Sequence, residues 1–261
     1  MKKLAVVTGA SSGIGYELAR FAVEDGYAVL ICADEVEIET AAEKLGRLGG
    51  TVEVIQADLA TPEGVDSLWQ AIEGRDIDLF FANAGRALGQ AFHDQEWRDI
   101  DRLIALNIGQ TTTLLHRVGR QMHKRGSGRI LVTGSIGGFV PGPFDAVYDA
   151  TKAYLDSLSY ALQDEWRDSG VTLTCLMPGP TETRIFTREG NHLQDAPITE
   201  KPKDDVTTVA RAGYEAMMAG ERGVVPGFTS KVMALLSDVV PQSVLAQIHR
   251  MGAEPKKGGG S

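Results

Sequence analysis

Short apolar runs rich in Val, Ile and Leu alternate along this chain with longer segments whose apolar residues recur every three or four positions. That alternation predicts βα units around a buried parallel sheet, because a strand covered on both faces is apolar throughout. Seven strands are expected, at 4–8, 28–33, 52–57, 79–82, 130–133, 172–177 and 224–225. None of the intervals has the two-residue spacing of a hairpin, so the expected class is α/β, a doubly wound parallel sheet with helices on both faces. Between the strands, Ile14, Leu18 and Phe21, and later Leu155, Leu158 and Leu162, are spaced to bury one helical stripe each against the sheet.

A chain of 261 residues can bury one large core, and a single domain over residues 1–254 is expected. Within it, 183–205 breaks both periods with Gly190, Pro197, Pro202 and scattered charges, and is expected to be a substrate-binding loop or lid. Segments 230–237 and 242–251, on either side of Pro241, have helical spacing and are expected to cap the fold or meet another subunit. Residues 255–261 end in Gly258-Gly259-Gly260-Ser261 and read as a flexible linker-like tail.

The formal charge of −9 disfavours nucleic acid and anionic lipid as partners, since both need a cationic face. No apolar run reaches the roughly 18 to 20 residues of a membrane span. Cys32 and Cys175 both sit in expected strands, which leaves neither a disulfide framework nor a CxxC metal site. The first strand starts almost at once, without room for a signal peptide, so a cytoplasmic setting is expected. His93, His116, His123, His192 and His249 lack zinc-ligand spacing and are expected at the surface.

Directly after the first strand comes Thr8-Gly9-Ala10-Ser11-Ser12-Gly13-Ile14-Gly15, followed by a helical pattern. Backbone amides at a helix amino end attract phosphate, and glycines let the chain turn tightly and approach a pyrophosphate. The order strand, turn, helix makes the expected sheet Rossmann-type, with Gly9, Ser11, Ser12, Gly13, Ile14 and Gly15 as dinucleotide-binding candidates; an ordinary βα turn is the plain alternative. A P-loop is excluded by Tyr16, which stands where a lysine would be needed. About 20 residues further on, Asp34 and Glu35 can accept hydrogen bonds from ribose hydroxyls, or simply open the next helix as solvated acids. A 2′-phosphate there would meet two carboxylates and no lysine or arginine at 11–12 or 33–35. NAD(H) is therefore favoured, with NADP(H) open.

Tyr148 and Lys152 begin another helical segment, and their spacing puts both on one face. A neighbouring ammonium favours phenolate, bringing a group with a pKa of about 10 toward acid-base use. Such a pair is common on helix surfaces, and its context is Ser135, thirteen residues earlier at the end of the fifth strand. Strand ends are where α/β folds bind ligands, and a serine there can donate to a carbonyl oxygen or serve as a turn cap. Thr133 stands at the first glycine position of Gly-x-Ser-x-Gly, which weakens a serine-hydrolase reading.

The ordered set Thr8–Gly15, Asp58-Leu59, Asn83-Ala84-Gly85, Asn107, Ser135, Tyr148-x-x-x-Lys152 and Pro178-Gly179 resembles the short-chain dehydrogenase/reductase family over essentially the whole length before the tail. The resemblance implies hydride transfer between a nicotinamide dinucleotide and a ketone or secondary alcohol. Tyr148 would be the general acid or base and Ser135 would hold the substrate oxygen. Lys152 would lower the tyrosine pKa and hold the nicotinamide ribose, and Asn107 would support a relay water. It also implies that Asp58, with Leu59 beside it, meets the adenine, and that Asn83-Ala84-Gly85 stabilises the central sheet and lines the adenosine ribose. Pro178, Gly179, Thr181 and Thr183 would run along the nicotinamide. No metal is needed, and a homodimer or homotetramer is implied. A dinucleotide-binding regulator without chemistry, and a dehydratase or epimerase on the same fold, are the rival readings.

Two departures stand out. Thr133-Gly134-Ser135 replaces the two adjacent serines frequent in the family, and Asp34 lies one position past the acid of many NAD-linked members. Leu88, Phe92, Val140, Pro143, Phe144, Ile185 and Phe186 flank the site in sequence and suggest an apolar pocket for the carbonyl or alcohol substrate, or equally plain packing.

Overall fold

A computed structural model describes residues 2–183, 203–227, 230–231 and 240–254. All seven expected strands form one sheet: β1 (Leu4–Thr8), β2 (Ala28–Ala33), β3 (Val52–Gln56), β4 (Ile77–Ala82), β5 (Gly128–Thr133), β6 (Val171–Leu176) and β7 (Gly223–Val224). Their order is β3-β2-β1-β4-β5-β6-β7, every pairing is parallel, and the sheet is Rossmann-like. The strand order reverses between β1 and β4, which opens a crevice at their carboxyl ends.

β4 and β5 begin two residues earlier than their apolar runs suggest, because each extension contains a polar residue, Asp78 or Arg129, that interrupts the run. Asp78 Oδ2 accepts the Leu4 N–H at 2.9 Å, and Arg129 donates to the Met217 carbonyl at 3.2 Å.

Helices cover both faces. On one, α3 (Pro62–Ile72), α5 (Gln110–Arg125) and α6 (Ala146–Glu165) pack on Val6, Phe80, Ile130 and Val132. On the other, α1 (Gly13–Glu24), α2 (Glu37–Arg47) and α7 (Val206–Ala219) pack on Val7, Ile31, Phe81 and Leu131. Adjacent residues Phe80 and Phe81 thus enter opposite layers, as strand alternation requires. Local signals fix several helix ends. The Thr61 hydroxyl accepts the Gly64 N–H at 3.1 Å with Pro62 at the first turn, and α5 stops at Gly126 in the left-handed conformation.

Between α4 (Trp97–Ile104) and α5 the chain makes a π-helical turn, Ala105–Gly109. A last helix, α8 (Gln242–Ala253), matches the expected 242–251 segment, whereas 230–237 and the 183–205 loop fall largely outside the described residues. No helix among the described residues is long and apolar enough to cross a membrane.

One expectation fails. His249 is not a surface residue: its side chain is 14% exposed and its Nε2 lies 3.4 Å from Asp149 Oδ2. The cause is α8, which folds back onto the start of α6. His192 lies outside the described residues, while His93, His116 and His123 are exposed as expected.

Candidate active site

Eleven of the expected cofactor residues line one cleft at the β1/β4 crevice: Gly9, Ser11, Ser12, Gly13, Ile14, Asp34, Leu59, Asn83, Ala84, Gly85 and Thr183. Gly15, Asp58, Pro178, Gly179 and Thr181 stand outside it, as do Tyr148 and Lys152. Gly15 acts from behind the turn, where a Cβ would collide with the Gly9 carbonyl. Gly9 has a φ of +68°, and a Cβ there would lie 2.8 Å from the Ala84 backbone. Thr183 reaches over the turn, 3.4 Å from where a Gly13 Cβ would be.

Asn83 pins the strand ends around the crevice. Its Nδ2 donates to the Thr8 and Gly9 carbonyls, both at 3.2 Å, and its Oδ1 accepts from Thr133 Oγ1 at 3.0 Å. The Thr8 hydroxyl in turn accepts the Asn83 and Ala84 backbone N–H groups at 3.0 and 3.1 Å. Three strand ends are thereby locked to one another.

The acidic rim contains an arrangement that spacing does not reveal. Ser11 Oγ donates to Glu35 Oε2 at 2.8 Å, turning Glu35 toward the glycine turn. Arg102 of α4 lies 2.6 Å from Asp58 Oδ2 and 3.7 Å from Asp34 Oδ2. Asp58 Oδ1 also accepts the Ala60 N–H at 3.0 Å, so both of its oxygens are engaged by the chain itself. Arg102 is 68 positions from Asp34, and no local pattern could have found it.

Asn107 sits fully buried in the π-helical turn, a distortion frequent at functional sites. Its Oδ1 accepts the Arg86 N–H at 2.9 Å, and its Nδ2 donates to the Arg86 carbonyl at 3.0 Å and to Thr151 Oγ1 at 2.9 Å. Thr151 donates to the Tyr148 carbonyl at 2.7 Å. Asn107 therefore joins the strand-β4 loop to the first turn of α6.

Ser135 caps the short 3₁₀ helix Ile136–Phe139, its Oγ accepting the Gly137 N–H at 3.0 Å and hydrogen-bonding Tyr148. The Tyr148 ring packs with Leu88, Ile100, Leu103 and Val147. Lys152 is buried, donates from Nζ to the Thr133 carbonyl at 2.7 Å and lies 5.6 Å from the Tyr148 ring centre. Pro178 presents its carbonyl to the Ile136 N–H at 3.1 Å, and Thr181 donates to the Gly179 carbonyl at 2.8 Å, so this segment backs the serine loop.

Burial dominates the electrostatics of this cluster. Tyr148 titrates above an ordinary tyrosine, first because it is buried and next because Asp145 and Asp149 are near; only its Ser135 hydrogen bond acts the other way. Burial also brings Lys152 down to about 8, against the pull of Asp156. Asp145, buried and accepting the Gly89 N–H at 3.3 Å, is pushed up to about 7. Burial then Asp145 raise Asp149, and burial takes Asp156 to about 6. Burial first, and then the acids at 145, 149 and 156, thus keep the phenol protonated.

Of the suggested pocket residues, Leu88 is buried against Tyr148, whereas Phe92 is 60% exposed. Ile185 and Phe186 lie outside the described residues. Phe144 takes a left-handed φ of 70° and lies under Arg250 of α8 at 5.5 Å.

The sequence model of the family described as short chain dehydrogenase matches residues 3–194. The chain belongs to this family. Among its relatives, an uncharacterized oxidoreductase of Staphylococcus epidermidis is 32% identical over 70% of this chain and 79% of its own. A short-chain type dehydrogenase/reductase of Sinorhizobium fredii is 36% identical over 70% and 72%. Among solved structures, a short-chain dehydrogenase of Sphingobium yanoikuyae in complex with NADPH is 29% identical, with 92% of this chain and 97% of that one covered and a TM-score of 0.81. The bulky-bulky ketone specific alcohol dehydrogenase of Comamonas testosteroni is 27% identical, covering 92% and 96%, with a TM-score of 0.76. Within this short-chain dehydrogenase, the candidate site residues form two groups, the crevice around the glycine turn and the Ser135, Tyr148 and Lys152 cluster.

Proposed function

We propose that this short-chain dehydrogenase interconverts a ketone and a secondary alcohol with NAD(H), and that Tyr148 moves the proton. Gly85 carries the reading because it joins the two groups: it lines the cleft, and a Cβ on it would lie 3.2 Å from Asn107 Oδ1 and 3.7 Å from Lys152 Nζ. A planar ring seated at that end of the cleft would have Asn107 and the lysine beside it.

The crevice fits a dinucleotide by its own chemistry. Gly9, Gly13 and Gly15 leave the turn bare at the amino end of α1, where backbone amides receive phosphate. Asp34 and Glu35 line the end of the cleft reached from β2, where they suit ribose hydroxyls and repel a 2′-phosphate. Arg102 already meets Asp58 at 2.6 Å, which limits its use for an added phosphate. The bound nicotinamide would supply or accept the hydride.

The chain's own residues then handle the oxygen and the proton. Ser135 donates to the substrate oxygen, and Tyr148 stands within the same hydrogen bond network to give or take the proton. With its titration raised, Tyr148 is a neutral phenol near pH 7, which suits a proton donor to a carbonyl. Lys152 and Asn107 fix the ring's neighbours, through the Thr133 carbonyl and through Thr151. Leu88 and Val147 beside Tyr148 favour an apolar ketone, in keeping with the bulky ketones named for the Comamonas enzyme.

Parallel titrations with NADH and NADPH, followed by a carbonyl panel with the tighter cofactor, test the reading. Tighter NADH and turnover of bulky ketones are expected. Tight NADH with no turnover across the panel would favour a regulator.

A further inference from the structure

The Thr133-Gly134-Ser135 run has a physical cause in a residue two turns into α6. A Cβ on Gly134 would collide with Asp156 Oδ1, and one on Gly138 would collide with the other Asp156 oxygen. The 134–138 turn is therefore wrapped around the carboxylate, which fills the volume that a serine side chain at 134 would need. Asp156 follows Tyr148 and Lys152 at successive four-residue steps of the same helix, so the three share one face.

Asp156 is 5% exposed. Its Oδ1 accepts the Cys175 thiol of β6 at 3.3 Å, and its carboxylate also accepts the Ser135 backbone N–H. Lys152, whose Nζ is tied to the Thr133 carbonyl at 2.7 Å, is the cation beside it. Burying a carboxylate is costly unless hydrogen bonds and a counter-charge meet it, and here those partners are the Cys175 thiol, the catalytic lysine and the catalytic serine's own backbone.

We propose that Asp156 is a positioning residue of the reaction, holding the Ser135 backbone in place and Lys152 in its charged form, with Gly134 as its obligatory counterpart. This rests on the catalytic reading of Ser135, Tyr148 and Lys152. Asp156 acts through these residues and touches no reacting atom itself. Around the Lys152 ammonium stand the Tyr148 ring, the Thr133 carbonyl, Asp156 and the Cys175 thiol. Around Asp156 stand Lys152, Cys175 and the Ser135 N–H, with the Tyr148 and Tyr160 hydroxyls in its field. Asp156 is the largest influence opposing the downward push of burial on Lys152. Without it, Lys152 loses its proton at lower pH.

The test uses the full chain with NADH and the best ketone of the panel, comparing wild type with Asp156→Asn, Asp156→Ala, Gly134→Ser and the Gly134→Ser/Asp156→Ala pair. Asparagine keeps the acceptor for Ser135 and removes the charge. The alkaline limb of kcat should then move down by about one pH unit or more, with kcat at pH 6 within about threefold of wild type. NADH affinity, read by fluorescence, should stay within about twofold, which separates positioning from cofactor binding. Gly134→Ser alone should lower Tm and kcat, and the pair should recover Tm while its alkaline limb stays shifted down as in Asp156→Asn. An unshifted pH profile in a folded Asp156→Asn overturns the proposal. If that variant does not fold, the pair is read in its place: no gain in Tm over Gly134→Ser, or an unshifted alkaline limb, overturns the proposal, and a gain in Tm with a shifted limb supports it. No turnover by wild type sinks the catalytic reading and this proposal together. Turnover lost in Tyr148→Phe but with an unmoved pH profile in Asp156→Asn sinks this proposal alone.

Discussion

The crevice around the glycine turn and the cluster around Tyr148 lie side by side but are built from opposite materials. The crevice is made of backbone: bare glycines, strand ends pinned by Asn83, and acids partly open to solvent. The cluster is made of buried charge, with Lys152 and the acids at 145, 149 and 156 all at most 7% exposed. A backbone site tolerates solvent and reads phosphate by geometry, whereas buried charges set protonation by burial and by one another. The two halves should therefore fail differently when altered.

The largest effect should come from Tyr148→Phe. Turnover should fall about 10²- to 10⁴-fold while NADH affinity changes little, and unchanged turnover in steady-state assays would break the division between the halves. Next comes Gly15→Ala, whose Cβ has no room beside the Gly9 carbonyl. Dinucleotide affinity measured by titration calorimetry should drop about tenfold or more, one 1.4 kcal/mol step for each factor of ten. Glu35→Ala with Ser11→Ala should be milder, narrowing the NADH over NADPH preference; an unaltered ratio of dissociation constants would move specificity elsewhere.

The smallest effect concerns stability against pH. Asp145 titrates at about 7 in the fold against an ordinary 3.8, so its stabilising proton is present below about pH 4 and lost as pH rises through 7. Lys152 has the opposite sign, its folded value of about 8 lying below 10.5, so stability is lost as pH falls from above 10.5 through 8. A scan of Tm without cofactor should decline from pH 5 to 7, and Asp145→Asn should flatten that decline.

The same division explains what was legible in the sequence. Backbone sites leave contiguous traces, so the glycine turn, Asn83-Ala84-Gly85 and the seven strands could be read directly, with β4 and β5 misjudged only where polar rim residues extend them. Buried charge leaves weak traces. Lys152, four residues after Tyr148, belongs to a recognisable pair, whereas Asp156, four residues further, has no motif to mark it. Gly134 was noticed as a departure, but its reason is a collision across the fold. Arg102, bridging Asp34 and Asp58, has no sequence signature because three separate βα units bring the three residues together. His249 was misread for a related reason, since apolar spacing in α8 does not say onto what the helix folds. The raised titration of Tyr148 follows first from its own burial and then from the neighbouring acids, neither of which a spacing rule records.

The contact between His249 and Asp149 makes the two termini of the described chain unequal. Lys3 and Leu4 enter at the amino rim of the sheet, where Leu4 meets Asp78, on the side away from the crevice. α8 arrives beside the residue that follows Tyr148, with Arg250 over Phe144. Crowding at Lys3 and Leu4 would press on the rim away from the crevice, whereas loss of Gln242–Ala253 would remove the helix that contacts Asp149 and Phe144 at the start of α6.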